Sequence, residues 1–506
     1  MEFMRHSGEP NERRTLAFSQ TVLPTLLLLT ACGTGGDSSQ PPNTPLTIPM
    51  ALVMNQDDTT MTTIRLDGNA APVISTLSLG PVQADSIGGA TFSLGEWIFV
   101  TNTATNRVAT IDPISALTPI LEDFLDDSGT PRIGQNPKRI YRDPSDKEVL
   151  WTMNEGADPA LCSVIGPTSS VSVLHNSHIA VGGTKPHILT TTCLWGRGEQ
   201  RAVFVRPTAA NPAITRQDVF VSSKDTGLIT LIKNDPADTT TRYSRSGFVD
   251  LCDNTRQACP LPLNANQSAP TVLMWSQATG KVYCYLSGYR TVVEIDPVAL
   301  TITRTVDIAP PGNTEYQSVG ITPDGRFLWL VGEDIISDPT KAIGKFAAVD
   351  LMQPVLAITA LPVAGLDNIR PALFQFSPDG RRLYLTQSNS TVGLPFAAQA
   401  IALKKNRLLV FDTSVLPAAP ASIADIALPA ADYHGIDLWN VGPQGAGSTK
   451  TIVVTNATSG LNGTVSLIDA ASSTITATIA VGKNPKQVTV YYVGLAANDN
   501  QATPVW

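Results

Sequence analysis

The sequence is poor in charge, in histidine and in the short signatures of common chemistries. Charged residues are 15% of the 506, and the formal net charge is −8. No block of lysine and arginine stands out, which argues against a nucleic-acid partner, because phosphate backbones are held by dense cationic patches. A Cys-x-x-Cys-His run is missing, which excludes covalent c-type haem. So are a Gly-x-Ser-x-Gly elbow, a His-Glu-x-x-His pair and a Walker-type loop. No apolar run is long enough to span a bilayer comfortably. What is plentiful is glycine (37), proline (38) and a background of Thr, Val, Ile and Ala. That mixture reads as many short strands separated by many turns.

The first residues stand apart. Arg5, Arg13 and Arg14 precede the apolar stretch VLPTLLLLTA, which ends in Leu29-Thr30-Ala31-Cys32. Charge, short apolar run and small residues make an export signal. The last four letters resemble the lipobox of bacterial lipoproteins. That resemblance implies a signal peptide over 1–31, lipidation of Cys32 and a membrane as partner. An ordinary secretory signal cleaved elsewhere is the alternative. Gly33 after the cysteine resembles outer-membrane sorting, periplasmic or surface-exposed. Residues 32–47, with GTGGDSSQPPNTP at their heart, read as a flexible tether.

The rest repeats. GQNPKRI (134–140) returns as GKNPKQV (482–488), with a blurred copy GTKPHIL (183–189). A strand ending in asparagine recurs as LVMN (52–55), FVTN (99–102), WTMN (151–154) and VVTN (453–456). An alternating strand follows each, often ending in aspartate, as at Asp67, Asp112, Asp296, Asp350, Asp412 and Asp469. Pro-Asp-Gly turns at 323–325 and 378–380 are hairpin signals. The Gly-x-x-Pro step breaks the ladder where the chain crosses to the next sheet, since proline cannot donate to it. Four strands per unit of about 45–60 residues predict an all-β propeller. Eight third strands predict eight blades, with seven left open by the blurred region 190–268. The C-terminal strand is expected to complete the N-terminal blade and close the ring. The propeller is assigned to 48–495 and a tail to 496–506. The strand-end letters resemble the YVTN-repeat propeller family, and WD40 signatures are missing.

Five cysteines follow Cys32. An exported chain permits disulfides. Cys252 and Cys259, in one loop, are the expected pair; Cys162 with Cys193 is a weaker possibility, and Cys284 reads as a buried inert thiol.

The residue after each Gly-x-x-Pro step is expected to begin an innermost strand and to ring the mouth of the central channel. That position holds Lys138, His187, His434 and Lys486, with Thr271, Gln317, Ala372 and Ser86 at the remaining blades. Lysines suit an anionic ligand, and two opposed imidazoles, His187 and His434, suit part of a divalent metal site. The bland reading is a solvated tunnel that binds nothing, and two histidines fall short of the usual three protein ligands. His175 and His178 read as a surface turn, and DFLDDSG (123–129) as a solvated acidic loop without the ligand spacing of a calcium loop. Trp97, Trp151 and Trp329 read as packing between blades.

Two functions follow. One is a membrane-anchored module that binds a ligand or a protein partner, with insertions at 190–215, 236–268 and 387–405 carrying specificity. The other is an enzyme, as similar propellers that act as lactone hydrolases or as an antibiotic-cleaving lyase imply. Catalytic residues and the identity of any cofactor stay unassigned.

Overall fold

The computed structural model describes residues 48–493, except 69–73, 81–85, 93–94, 113–119, 127, 147, 165, 167, 176–185, 252–267, 309–313, 335–341, 390–402 and 442–446. The signal peptide, Cys32, the tether and the tail therefore lie outside the described residues, as does the Cys252–Cys259 pair. Among the described residues, no helix is long and apolar enough to cross a membrane.

The described strands form eight four-stranded antiparallel sheets arranged as the blades of a propeller. Blades two to eight run in order through 86–125, 137–193, 200–250, 270–307, 314–361, 371–427 and 436–483. Blade one takes its second to fourth strands from 48–78 and its innermost strand from the far end of the chain, Pro485–Val493. That strand pairs antiparallel with Ile48–Asn55, from Ile48 opposite Val493 to Asn55 opposite Pro485. The expected eightfold ring and its closure are both present. Innermost strands start on one face, here the upper, and end on the lower; second strands run the other way.

The core is a set of slabs, one between each neighbouring pair of blades. Met50, Leu52 and Met54 of blade one pack on Ile98 and Val100 of blade two. Val488 and Val490 of the closing strand join Val453 and Val465 of blade eight. Equivalent clusters fill the other six junctions. Alternating apolar residues make this possible, because both faces of a radial blade meet a neighbour. Trp151 does this edge-on against Phe204 and Tyr243 of blade four, with centroids 5.9 and 5.3 Å away. Trp329 lies 5.8 Å from Phe376 of blade seven.

The repeated letters have local causes. The strand-end asparagine donates both amide hydrogens to two hydroxyls of the next strand. Asn55 reaches Thr60 and Thr62 at 2.9 and 2.8 Å, Asn154 reaches Ser170 and Ser172 at 3.1 and 2.9 Å, and Asn456 reaches Thr464 and Ser466 at 2.9 and 3.0 Å. Glycine opens the seven-letter repeat because it lies on that asparagine: a Cβ on Gly134 would stand 2.8 Å from Asn154 Nδ2, and one on Gly482 2.7 Å from Asn55 Nδ2. Asn136 and Asn484 then take left-handed backbone, at φ 57° and 52°, a conformation asparagine tolerates better than most residues. The strand-end aspartates accept from the turns they start, as Asp296 does from Val298 N and Ala299 N at 2.8 and 2.9 Å.

Two expectations from the blurred region need correction. GTKPHIL is not a third crossing: His187 begins the outermost strand of blade three, His187–Cys193, whose only partner in the sheet is Ser170–His175. The stretches read as insertions at 190–215 and 236–268 contain regular strands of blade four, Gln200–Phe204 and Arg245–Asp250. Most of the third insertion, 387–405, lies outside the described residues.

Candidate binding site at the channel mouth

Three of the four residues lie at or just before the starts of innermost strands. Lys138 is the second residue of the innermost strand Pro137–Arg142, Lys486 is the second of Pro485–Val493, and His434 precedes Ile436–Val441. They belong to blades three, one and eight.

His187 is the exception. On the outer strand of blade three it shares no site with His434, and it neighbours His175 instead, at 5.5 Å between ring centroids. His434 is a packed residue, 1% exposed. Its Nδ1 lies 3.2 Å from Thr455 O, and Nε2 lies 3.2 Å from Asn406 Oδ1 and 3.4 Å from Asn389 Nδ2. Burial holds its pKa below the ordinary value, against the opposing bonds from Thr455 and Asn456. The proposed histidine pair thus does not fit a common metal. Among the described residues no group of three His, Cys, Asp or Glu side chains is placed to hold one.

The charge at the mouth gathers at the junction of blades three and four. Arg139 follows Lys138 on its innermost strand, and Arg201 is the second residue of Gln200–Phe204. Glu199 stands just before that strand. Arg139 Nη2 and Arg201 Nη2 each lie 2.9 Å from Glu199 Oε1, and Lys224 Nζ lies 3.0 Å from Glu199 Oε2. Lys138 Nζ lies 3.2 Å from Glu155 Oε2, and Arg139 Nε 4.0 Å from Glu155 Oε1. Among the described residues, these ion pairs bring four cations onto two carboxylates. Burial alone would raise the Glu199 pKa, but Arg201, Lys224 and Arg139 bring it down to about 2. Burial and the neighbouring Arg139 lower the Arg201 pKa. The Lys138 side chain, 41% exposed, opens the cluster to solvent.

The fold holds this cluster on rigid parts. Arg139 Nε donates to Gln200 O at 3.2 Å, which ties the two innermost strands together. Glu155 opens a long loop from the second strand of blade three, and Gln200 N donates to Glu155 Oε1 at 3.3 Å. The same loop carries Cys162, which forms a disulfide with Cys193 at the end of the outer strand. This is the pairing ranked second from sequence. Cys284 is a buried free thiol, as expected, and burial raises its pKa.

The repeat alone does not point to Arg139 or Arg201. Arg139 sits beside the residue singled out, and Arg201 lies in the blurred region. The usable signal was a pair of arginines in the first three positions of consecutive innermost strands. A second ion pair at the upper face differs in kind. Arg370 binds Glu333 through Nε and Nη2 at 3.0–3.1 Å, with side chains only 12% and 3% exposed, and the charges balance.

No protein-family model matches the sequence, and no curated protein matches it. Solved structures do resemble the fold. The dihydro-haem d1 dehydrogenase NirN, solved in complex with DHE, is 12% identical and aligns over 87% of this chain and 74% of its own, with a TM-score of 0.51. The periplasmic gluconolactonase PpgL of Pseudomonas aeruginosa is 13% identical over 89% of this chain and 100% of its own, with a TM-score of 0.47. Apo AztD of Citrobacter koseri is 13% identical over 89% and 99%, with a TM-score of 0.46. At these identities the likeness extends to the fold alone.

Proposed function

We propose that this chain is an exported propeller, anchored to the cell envelope through Cys32, that binds a small anionic ligand at the mouth of its channel. One observation carries the reading: among the described residues, Lys138, Arg139, Arg201 and Lys224 converge on Glu155 and Glu199 in a partly buried, cation-rich cluster. Clustered positive charge in a low-dielectric mouth is stabilised by a bound anion more than the same charge in water. Arginines offer paired donors that match carboxylate or phosphate oxygens, and lysines add mobile charge. A ring built from eight rigid junctions holds these donors in place without rearrangement, which suits a binding module. The outer membrane is the proposed destination of the lipid anchor.

The test is calorimetric titration with phosphate, citrate and a sugar acid at low and moderate salt. Saturable binding by one of them, weakened about tenfold or more by Lys138→Gln/Lys224→Gln, supports the reading. Absence of binding by all three overturns it. Turnover of the lactone of the sugar acid, read as acid release, would instead favour a hydrolase.

A further inference from the structure

The lower face carries apolar side chains where turn residues are ordinarily polar. Val298 is 54% exposed, Met352 55%, Val355 74% and Val415 50%. All four sit in turns between third and fourth strands, in blades five, six and seven, directly after Asp296, Asp350 and Asp412. The matching turn of blade four holds Asp235, Asp238, Thr240 and Thr241, and that of blade eight holds only Ala470, Ala471, Ser472 and Ser473. Among the described turns between third and fourth strands, the exposed apolar tips are confined to three consecutive blades, while Val164 and Leu461 are exposed on the upper face.

These turns are braced with their tips outward. Asp350 and Asp412 accept from Met352 N and Ser414 N at 3.0 and 2.9 Å, so the carboxylates are occupied by backbone. Arg304 of blade five donates to Leu351 O at 3.0 Å and also to Gln353 O, which fixes the blade-six turn from its neighbour. Gln277 donates to Pro323 O at 3.4 Å, linking the adjoining turns of blades five and six. Around the tips, Lys281, Arg326, Arg381 and Arg382 stand beside Asp296, Asp324, Asp350, Asp379 and Asp412, while Arg304 is paired with Glu294. The patch is electrically near neutral, and apolar contact is what it has to offer.

The chain also identifies what this face meets. Ile48 begins the second strand of blade one, and second strands start on the lower face. The chain therefore enters the described ring, at Ile48, on the face that carries the apolar tips. A Gly/Ser/Pro-rich coil of the length of 33–47 spans roughly 20 Å, which keeps the ring within touching distance of whatever Cys32 is attached to. We propose that the lower face of blades five to seven rests on a lipid bilayer, with Val298, Met352, Val355 and Val415 in the headgroup region. The proposal rests on the anchoring read for Cys32. Burial of four such side chains orients an already tethered ring rather than recruiting it.

The test separates the two. The ring folds from its own residues, since blade one is closed by Pro485–Val493. Residues 46–506 carrying an amino-terminal hexahistidine tag are bound to neutral phosphatidylcholine vesicles through a nickel-chelating lipid, which removes any need for Cys32. Tryptophan is placed on the lower face by Val355→Trp or on the upper face by Leu461→Trp. Acyl chains brominated near the headgroup then report contact by quenching, corrected for the parent chain. The expected result is loss of the added emission at 355, retained in high salt, with none at 461. Adding Val298→Glu and Val415→Glu to Val355→Trp should abolish it. Equal emission at both positions with and without bromine, or quenching at 461 alone, overturns the proposal. The anchor is tested apart from this, by whether Cys32→Ser releases the full chain from membranes.

Discussion

The Asp437 carboxylate of blade eight accepts a 2.6 Å hydrogen bond from the backbone N–H of Val490, on the strand that closes blade one. Its other oxygen accepts from Leu438 N at 2.8 Å. Similar stitches cross other junctions of the channel wall. Ser318 donates to Ala372 O at 2.8 Å, Gln375 to Ile436 O at 3.2 Å and Arg139 to Gln200 O at 3.2 Å. Each runs from a side chain on one innermost strand to the backbone of the next. The ring is thus closed twice at its seam, by the ladder between Ile48–Asn55 and Pro485–Val493 and by a half-buried carboxylate reaching in from blade eight.

That carboxylate makes the seam sensitive to pH. Burial raises the Asp437 pKa to about 6, against the lowering effect of its bonds to Val490, Leu438 and Gln375. A raised folded-state pKa means the folded protein holds the proton more tightly than the unfolded chain. The stability this gives is complete below the ordinary aspartate range near 3.8 and is lost as pH rises through about 6. Asp437→Asn keeps an acceptor for Val490 and removes the charge, although its amide NH₂ then faces Leu438 N. The expected outcome is a variant that gains on the parent by about 2–3 kcal/mol between pH 4 and pH 8. Chemical denaturation at the two pH values measures it; an unchanged difference would remove Asp437 as the source.

Cys162 and Cys193 tie the loop after Glu155 to the outer edge of blade three. Opening a bridge between residues 31 apart in sequence should cost about 3 kcal/mol in stability. Because Glu155 opens that loop and takes Lys138 at 3.2 Å, Cys193→Ser should also loosen this counter-ion and leave anion binding at the mouth at least as tight. Melting and titration of the same sample check both, with the reduced parent as comparison.

The glycine of the seven-letter repeat is a contact, not a hinge. A Cβ on Gly134 would lie 2.0 Å from Ser170 Oγ, well inside contact distance, whereas one on Gly129 meets nothing nearer than Pro131 O at 3.4 Å. Gly134→Ala should destabilise the protein by about 1–3 kcal/mol, and Gly129→Ala should leave the denaturation midpoint nearly unchanged. Equal midpoints for the two would show that the asparagine–hydroxyl network yields easily.

The ring was legible because its signals are local. Alternation, strand-end Asn and Asp, and Pro-Asp-Gly turns each report one strand or turn, and their count gives eight. His187 was misplaced because proline suits the first residue of any strand, and Pro186 opens an outer one. Among the three Gly-x-x-Pro copies, the residue before proline differs. Asn136 and Asn484 take left-handed backbone at true crossings, while the false copy has lysine there. The Cys162–Cys193 pairing was under-weighted for a related reason, while Cys252 and Cys259 lie outside the described residues. Closeness in sequence favoured Cys252 with Cys259, but second and fourth strands both end on the upper face, so the loop bearing Cys162 meets Cys193 across 31 residues. The charge cluster needed two blades aligned side by side, which no single repeat displays.

Glu199 gives the sharpest check on the mouth. Its pKa, brought to about 2 against the cost of burial, lies below the ordinary 4.5. A depressed folded-state value contributes stability that is present above 4.5 and lost as pH falls through about 2. The group is part-exposed, so solvent screening reduces that contribution to about 1 kcal/mol. Glu199→Gln should therefore melt lower than the parent at pH 7 and approach it near pH 3. It also leaves Arg139, Arg201 and Lys224 without their shared counter-ion. Added phosphate or citrate should then raise the melting temperature of the variant more than that of the parent, because the anion replaces the lost carboxylate. Equal shifts would mean that the clustered positive charge does not gather a ligand, and the anion-binding assignment would fall with it.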